Sequence, residues 1–230
     1  MMLTEAEIEI VLLSLQVAAW AVTISLVPGV LLGWLLARWE SPLRAVLQGA
    51  VMLPLVLPPV VTGYLLLWLF GVSGPLGGAW ESITGGRIAY TTGACVIAAA
   101  VVGFPLMVEG IRLSVIGVDP RLEMVSRSLG RKKLSTFLRV TLPLSLPGVL
   151  AGAVLSFARA LGEFGATIVL AGNVEGETRT IPVAVYTLLN QPGAEAGVWR
   201  LVAISVAISM GALLAASWLA RRQRRRAGEH

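Results

Sequence analysis

The sequence predicts an all-α integral membrane protein with five transmembrane helices, and three observations lead to that fold class. Of the 230 residues, 56% are hydrophobic and only 13% are charged, whereas a soluble domain carries about 25% charged residues. Apolar runs of about 20 residues, the length of a helix that spans a bilayer, recur along the chain. Basic residues cluster in alternate segments between these runs, which is typical of a multi-pass protein of the cytoplasmic (inner) membrane.

The apolar runs predict a single transmembrane domain over residues 1–230. In order along the chain, the predicted spans cover residues 11–37, 47–70, 91–113, 142–171 and 198–219. The first run is too long for a cleaved signal peptide, and acidic residues precede it where a signal peptide carries basic ones. We therefore expect the first run to remain as a membrane span.

The second span contains three prolines, Pro54, Pro58 and Pro59, in the stretch MLPLVLPPVVTGYLLL. Proline lacks a backbone N–H and interrupts the helical hydrogen-bond ladder. Because carbonyls freed in lipid must find other partners, this helix is expected to be buried in protein or to line a cavity.

Glycines four residues apart occur in two of the predicted spans. Gly29 and Gly33 lie in the first span, and Gly148 and Gly152 lie in the fourth. This spacing lets two helices approach closely. It fits packing within one subunit as well as dimerisation.

Positive charge in the short loops predicts the orientation. One set of loops is rich in basic residues: Arg38 and Arg44 after the first span, Arg121, Arg127, Arg131, Lys132, Lys133 and Arg139 after the third, and Arg221, Arg222, Arg224, Arg225 and Arg226 after the fifth. The opposite loops contain only Arg87 and Arg179. The N-terminus is therefore predicted outside and the C-terminus in the cytoplasm. The net charge of +5 indicates topology rather than binding to nucleic acid.

Two pairs of charged residues lie within the predicted third and fourth spans. Arg159 and Glu163 lie four residues apart on one face of the fourth span, and intramembrane charges are functional candidates by default. The alternative is that these two side chains only neutralise each other near the outer end of the helix. Glu109 and Arg112, near the inner end of the third span, are predicted to form a local ion pair.

The reactive residues argue against an intramembrane enzyme. Cys95 is the only cysteine and His230 the only histidine, which excludes an internal disulfide, a cysteine metal cluster and histidine-based nucleophile pairs. We predict no catalytic residue and no metal site. The phosphate-loop pattern G-x-x-x-x-G-K-[ST] is also absent, so this chain cannot drive transport with that chemistry.

A polar segment over residues 119–141 interrupts the apolar sequence and predicts a short cytoplasmic helix. Asp119 and Pro120 are typical of the N-cap and first position of a helix, and Gly130 is typical of a left-handed C-terminal residue. The apolar residues recur on one face at helical spacing: Leu122, Val125 and Leu129. Such a helix either lies on the membrane surface or inserts its apolar side chains into a groove of a cytoplasmic partner.

This segment resembles the EAA loop of ABC importer permeases, whose pattern is Glu-Ala-Ala, three residues, Gly, nine residues and Ile-x-Leu-Pro. Here MVS stands at the triplet (residues 124–126), Gly130 follows at the right distance, and VTLP begins nine residues later (residues 140–143). The triplet departs from the pattern because Met124 replaces its glutamate, although Glu123 lies beside it.

Two longer stretches, residues 53–67 and 161–189, are similar to the permease subunits of molybdate importers, and the similarity covers nearly the whole chain. The resemblance implies the type I ABC importer permease fold and import of molybdate, with sulfate or tungstate as alternative cargo. It implies a homodimer of this chain in the lipid membrane, two copies of a cytoplasmic ATPase that holds ATP and Mg²⁺, and an extracytoplasmic oxyanion-binding protein. No cofactor is expected in this chain itself.

The resemblance also implies that the cytoplasmic helix enters a cleft of the ATPase and converts its closure into an inward-to-outward switch. The predicted coupling residues are Leu122, Glu123, Met124, Val125, Ser126, Arg127, Leu129, Gly130, Leu142 and Pro143. An ATP-independent channel or secondary transporter is the alternative, and co-purification with an ATPase would distinguish the two.

A path for an oxyanion is expected to use uncharged hydrogen-bond donors, because a fixed cluster of cations would bind a dianion too tightly. The predicted path or gate residues are Pro58, Pro59, Thr62, Gly63, Ser156, Arg159, Glu163 and Thr167. The alternative for the hydroxyl groups is that they bond to helix carbonyls. The outer segment over residues 172–193 is expected to contact the binding protein and to contain a short helix near residues 181–189.

Overall fold

The computed structural model describes residues 3–226, and the side chains of residue 216 and residues 219–226 lie outside that description. His230 and the side chains of the five arginines predicted to mark the cytoplasmic tail are thus outside the described part. All regular structure in the described part is helical. The elements are α1 (Glu5–Arg38), α2 (Leu43–Val56), α3 (Pro59–Phe70), α4 (Pro75–Thr84), α5 (Thr92–Ile116), α6 (Pro120–Ser128), α7 (Lys133–Thr136), a π-helical segment (Phe137–Thr141), α8 (Leu142–Leu161), α9 (Gly165–Leu170), α10 (Ile181–Leu189) and α11 (Glu195–Arg226).

Four helical stretches of the described chain are long and apolar enough to cross a membrane: α1, α5, Lys133–Leu161, and Glu195–Ala215 within α11. The helices α2 and α3 pass the same test only together, and they are bent by 110° at the break between them. The number of crossings is therefore four, or five if the bent pair is one span.

Contacts at the two ends of the helices decide between these counts. At one end, Arg38 of α1 forms an ion pair with Glu123 of α6 at 3.0 Å. At the other end, Glu7 of α1 forms an ion pair with Arg200 of α11 at 2.7 Å, and Thr92 at the start of α5 donates a hydrogen bond to the outer loop. The chain must therefore return between Arg38 and Thr92, and α4, at about 15 Å, is too short to do so. The bent pair makes that crossing, which gives the five spans predicted.

The second span is nevertheless not the single helix predicted over residues 47–70. Its helix ends at Val56, Leu57 is extended with ψ of 144°, and a new helix begins at Pro59. The physical reason is that Pro58 and Pro59 remove two consecutive N–H donors and force the residue before each proline away from helical dihedrals. Pro54 stays inside α2, so only the paired prolines break the span.

The fourth span also differs from the single helix predicted over residues 142–171. The helical run begins earlier, at Lys133, and α8 ends at Leu161 before the short helix α9. The restart has a local cause, because the side chain of Glu163 accepts a hydrogen bond from the backbone N–H of Ala166 at 2.8 Å. A carboxylate that takes up a free N–H at a helix start stabilises that start.

Small residues bring α1, α5 and α8 together at the centre of the subunit. A Cβ atom added at Gly29 would lie 2.9 Å from Sδ of Met107, and one added at Gly152 would lie 2.8 Å from the carbonyl oxygen of the same residue. Gly33 packs in the same way on Ile111, and Gly148 on Ser114. Both pairs of glycines therefore serve packing inside one subunit, on the two sides of α5.

The outer surface contains two short helices. The helix α10 lies at Ile181–Leu189, as predicted, whereas α4 lies in a loop where no helix was predicted. The first N–H group of α10 is bonded not by a residue of its own loop but by Ser14 of α1, whose Oγ accepts from Ile181 N at 2.8 Å. This contact fastens the outer loop to the start of the first span.

Candidate functional site

The cytoplasmic helix α6 has the ends that its sequence predicts. The side chain of Asp119 accepts a hydrogen bond from Arg121 N at 2.9 Å, and Pro120 is the first helical residue. Gly130 has φ of +82°, a conformation that an L-residue with a Cβ adopts only at a cost. The helix therefore begins and ends sharply, and its nine residues are held in a defined orientation.

The side of α6 that faces the rest of the protein is polar. Oε1 of Glu123 accepts hydrogen bonds from Arg38 Nη2 at 3.0 Å and from Thr141 Oγ1 at 2.8 Å. One turn further on, the hydroxyl of Ser126 lies 3.1 Å from the hydroxyl of Thr136. Arg38 also donates to the carbonyl of Val118 at 2.9 Å. These bonds attach α6 to the inner end of α1 and to the start of the α7–α8 helical run.

Next to this polar side, α6 carries apolar side chains that are exposed. The exposed fractions are 48% for Leu122, 60% for Val125 and 77% for Leu129, and Met124, on another side of the helix, is 57% exposed. A surface helix ordinarily buries its apolar face against its own core. Here the arrangement is reversed, so the apolar side chains are available to something outside the subunit.

A π-helical segment lies directly between α6 and the fourth span. It covers Phe137–Thr141 and joins α7 to α8 without a break. Its last residue, Thr141, is the donor to Glu123, and its first, Phe137, packs against Trp34 with ring centroids 5.1 Å apart. Single π turns occur frequently at functional sites. Leu142 and Pro143 follow it at once, partly buried and exposed respectively.

The two broken spans pack against each other on the outer side of the break points. A Cβ on Gly63 would lie 2.8 Å from Cα of Ala166, and one on Gly165 would lie 2.5 Å from Cβ of Pro59. The absence of side chains at both glycines therefore allows α3 and α9 to touch along their backbones. This contact joins the start of α3 to the restart after α8.

The predicted path residues divide into three groups. Pro58 and Pro59 are exposed at the first break, and Arg159 is half-buried at the end of α8. The other five are buried in this subunit: Thr62, Gly63, Ser156, Glu163 and Thr167. Thr62 and Gly63 lie in α3 and Glu163 and Thr167 at or in α9, whereas Ser156 lies against Gly103 of α5. The structure thus brings most of them to one contact between broken helices.

The ion pair predicted for Glu109 and Arg112 is formed, and so is the pairing of Arg159 with Glu163 that was the alternative to a role in the path. Nη1 of Arg159 lies 2.9 Å from Oε2 of Glu163, whose side chain is 1% exposed, and Arg112 lies 2.6 Å from Glu109. Glu163 also accepts a hydrogen bond from the N–H of Ala166. The contacts of its side chain therefore cap α9 and neutralise Arg159. The hydroxyl of Thr62 is the one predicted path donor that is buried without a hydrogen-bond partner in the described chain.

The sequence did not predict that Arg38, Thr136 and Thr141 would bond to the polar side of α6. Arg38 was interpreted as a topology charge, and Thr136 and Thr141 had no assigned role. The available signal was that Glu123 and Ser126 lie one turn apart and share a polar face next to the apolar residues. A polar face in a helix that precedes a membrane span needs partners, and basic or hydroxyl residues at nearby span ends could supply them.

Comparison with known proteins agrees with this geometry. Residues 29–225 match the family described as binding-protein-dependent transport system inner membrane component. The molybdenum transport system permease protein ModB of Escherichia coli K12 is 51% identical over 228 residues, which are 99% of this chain and all of that protein. The protein of the same name from Haemophilus influenzae is 44% identical, over 97% of each chain.

Solved transporters share the fold. An inward-facing structure of the methionine ABC transporter MetNI has a TM-score of 0.73 at 15% identity and covers 96% of this chain and 99% of that one. A bacterial ABC transporter for alginate has a TM-score of 0.69 at 16% identity and covers 97% and 80%. The all-α, five-span architecture is thus that of type I ABC importer permeases. The chain belongs to the family of inner membrane components of binding-protein-dependent transport systems, as a multi-pass protein of the cytoplasmic membrane.

Proposed function

We propose that this chain is the permease subunit of an ATP-driven importer of molybdate, and that α6 docks it to a separate ATPase. The reversed polarity of α6 supports this function above any other observation. Its polar side is bonded to the subunit through Glu123, and its apolar side is exposed on the side of the basic loops. A helix built this way fits a hydrophobic groove of a cytoplasmic partner.

The cargo assignment rests on the relatives. Proteins named as molybdenum transport permeases match nearly the full length of this chain, one of them at 51% identity. The buried path residues carry few charges, which suits a dianion that must be released after each transport cycle. Sulfate and tungstate have the same tetrahedral oxyanion chemistry and are the comparison substrates.

The partners are inferred from the missing phosphate loop and from solved transporters of similar fold. The sequence contains no phosphate loop, so ATP and Mg²⁺ would bind on the ATPase and this chain would be a non-catalytic subunit. Two copies of the chain would enclose the path. One solved neighbour, the alginate transporter, is seen in complex with a periplasmic protein, which supports delivery of the oxyanion by a binding protein.

A continuous set of contacts could carry movement from the ATPase to the path. Glu123 joins α6 to Thr141, and Thr141 leads directly into α8, which is about 30 Å long. At its far end α8 is tied to α9 through Arg159 and Glu163, and α9 packs on α3. In this proposal α6 and α8 move together and displace α9 against α3.

Reconstitution into liposomes with the ATPase and the binding protein tests the proposal. Molybdate-loaded binding protein is expected to stimulate ATP hydrolysis and vesicle uptake above the levels seen with sulfate or tungstate. Equal uptake without the ATPase, driven by an ion gradient, would replace the proposal with a secondary transporter. Stimulation by sulfate alone would keep the ATP-driven mechanism and reject the cargo.

A further inference from the structure

A cavity of about 360 Å³ lies between the inner end of α1 and the coupling helix α6. Its aromatic lining comes from Trp34, Trp39 and Phe137, and its rim includes two cations, Arg127 and Lys133. Neither the predicted oxyanion path nor the exposed apolar residues of α6 line this cavity. It lies on the side of α6 that faces α1, and Glu123 and Arg127 are the predicted coupling residues that line it.

The cavity has a net positive charge. Arg38 and Glu123 also line it, but they are paired with each other and cancel. Arg127 and Lys133 are exposed, and within the described residues neither side chain forms an ion pair or a hydrogen bond. Two uncompensated cations at the mouth of a partly aromatic cavity favour an anion with an apolar part.

Because the cavity lies at the cytoplasmic end of the span α1, we infer that it is near the inner membrane surface. It adjoins Arg38, the last residue of α1, and tryptophans in this position are typical of the boundary between lipid and water. Basic pockets between transmembrane helices on the cytoplasmic side suit the headgroups of anionic lipids. The position thus favours a ligand that enters from the bilayer.

An exposed apolar stripe on α1 leads down to the cavity. Val27, Leu31 and Leu35 are 67%, 52% and 38% exposed, and Leu35 itself lines the cavity. Because residues four apart share a helix face, the stripe is continuous for about 12 Å along α1. An acyl chain could follow it while its phosphate remains between the two cations.

We propose that this cavity binds the headgroup of an anionic phospholipid of the inner leaflet, with one acyl chain along Val27, Leu31 and Leu35. The bound lipid would contact α1 and the coupling helix at once. It would sit next to the Arg38–Glu123 pair and brace the helix from the membrane side. This inference concerns the membrane around the subunit and does not depend on which oxyanion is transported.

Native mass spectrometry of the purified transporter, permease with its ATPase, can test the site. The complex is exchanged into nanodiscs of phosphatidylcholine with equal parts of phosphatidylglycerol, and lipids that remain bound after mild activation are identified. The test variant is Arg127→Gln with Lys133→Gln. The matched control is Arg131→Gln with Lys132→Gln, which removes two exposed cations of the same loop that do not line the cavity. Both variants keep the Arg38–Glu123 pair, and equal unfolding temperatures establish that they are folded.

The wild type is expected to retain phosphatidylglycerol in preference to phosphatidylcholine. Because one basic residue near an anionic headgroup is worth about fivefold in binding, the test variant should lose roughly 25-fold of this preference while the control keeps it. An equal loss in both variants would mean diffuse attraction to the surface and would overturn the proposal. Displacement of the lipid by millimolar inorganic phosphate would also overturn it, because that would indicate a site for free anions. So would a wild-type complex that retains no phosphatidylglycerol.

Discussion

The carboxylate of Glu123 lies 3.0 Å from the guanidinium of Arg38, although 85 residues separate them in the chain. The same oxygen, Oε1, also receives the hydroxyl of Thr141 at 2.8 Å. One oxygen atom thus holds together α6, the inner end of the first span and the start of the fourth. The orientation of α6 relative to these spans depends on this atom.

Replacement of Glu123 by Gln should loosen α6 while keeping the shape of the side chain. Hydrogen bonds to a charged group contribute about 1.5–3 kcal/mol each, and the neutral amide keeps only part of that, so the free energy of unfolding should fall measurably. Hydrogen exchange of residues 120–130 should rise, and ATP hydrolysis should become less coupled to uptake in liposomes.

Glu109→Gln provides the control for that variant. It breaks the ion pair with Arg112, which lies on α5 and outside the junction at α6. It should lower stability by a comparable amount and leave the ratio of uptake to ATP hydrolysis unchanged. If both variants change this ratio equally, the effect is general destabilisation and the role assigned to Glu123 is wrong.

The exposed face of α6 should carry the affinity for the ATPase. Burial of a Leu or Val side chain is worth about 1.5–3 kcal/mol, so Leu122→Ser, Val125→Ser and Leu129→Ser together should weaken the complex at least a hundredfold. Membrane insertion should be unchanged. Co-purification with the tagged ATPase measures the loss. Leu76→Ser with Ile83→Ser, two exposed apolar residues on the outer helix α4, should leave the complex intact.

Gly130 should tolerate substitution poorly, although there is open space around it. An added Cβ would meet nothing within 4 Å, but φ of +82° is strained for other residues by roughly 1–2 kcal/mol. Gly130→Ala should therefore shift the end of α6 and weaken ATPase binding, and Gly130→Asn should do so less. Gly49→Ala, also with nothing within 4 Å but inside α2, should have no such effect. Binding equal to wild type in Gly130→Ala would contradict this prediction.

The break at Pro58 and Pro59 should matter for transport more than for insertion. With both replaced by Ala, α2 and α3 can join into one helix, and the 110° bend that lets α3 reach α9 is no longer imposed. Uptake in vesicles should fall strongly while the amount of protein in the membrane stays close to normal. Pro54→Ala, at a proline that α2 accommodates, is the control and should transport normally. Normal uptake in the double variant would remove the break from the mechanism.

Elements that depend on local chemistry could be predicted from the sequence. Asp119, Pro120 and Gly130 determine the ends of α6 through bonds within a few residues. The apolar runs and the charges of the loops predict five crossings, because each span can be recognised from its own hydrophobicity and from the basic residues in the loops beside it. The role proposed for the cytoplasmic helix, docking to an ATPase, came from the resemblance to ABC importer permeases.

Features that depend on distant contacts could not be predicted in this way. The polar face of Glu123 indicates that it needs a partner but does not identify Arg38, and no sequence pattern predicts the π-helical segment that ends at Thr141. The prolines of the second span predicted a disturbed helix but not the direction in which α3 leaves the break. That direction depends on the packing of Gly63 against Ala166. Glu163 was recognised as one half of an ion pair. Its hydrogen bond from Ala166 N, which stabilises the start of α9, could not be predicted.

The reversed polarity of α6 has a consequence for the fate of subunits made in excess. In an isolated subunit, Leu122, Val125 and Leu129 are exposed on a helix that cannot turn them inward, because Glu123 and Ser126 are bonded to the rest of the subunit. If α6 docks to an ATPase as proposed, each unassembled copy exposes apolar side chains that favour aggregation or recognition by proteases. Assembly would bury these side chains, so their exposure would distinguish a free subunit from a complete transporter.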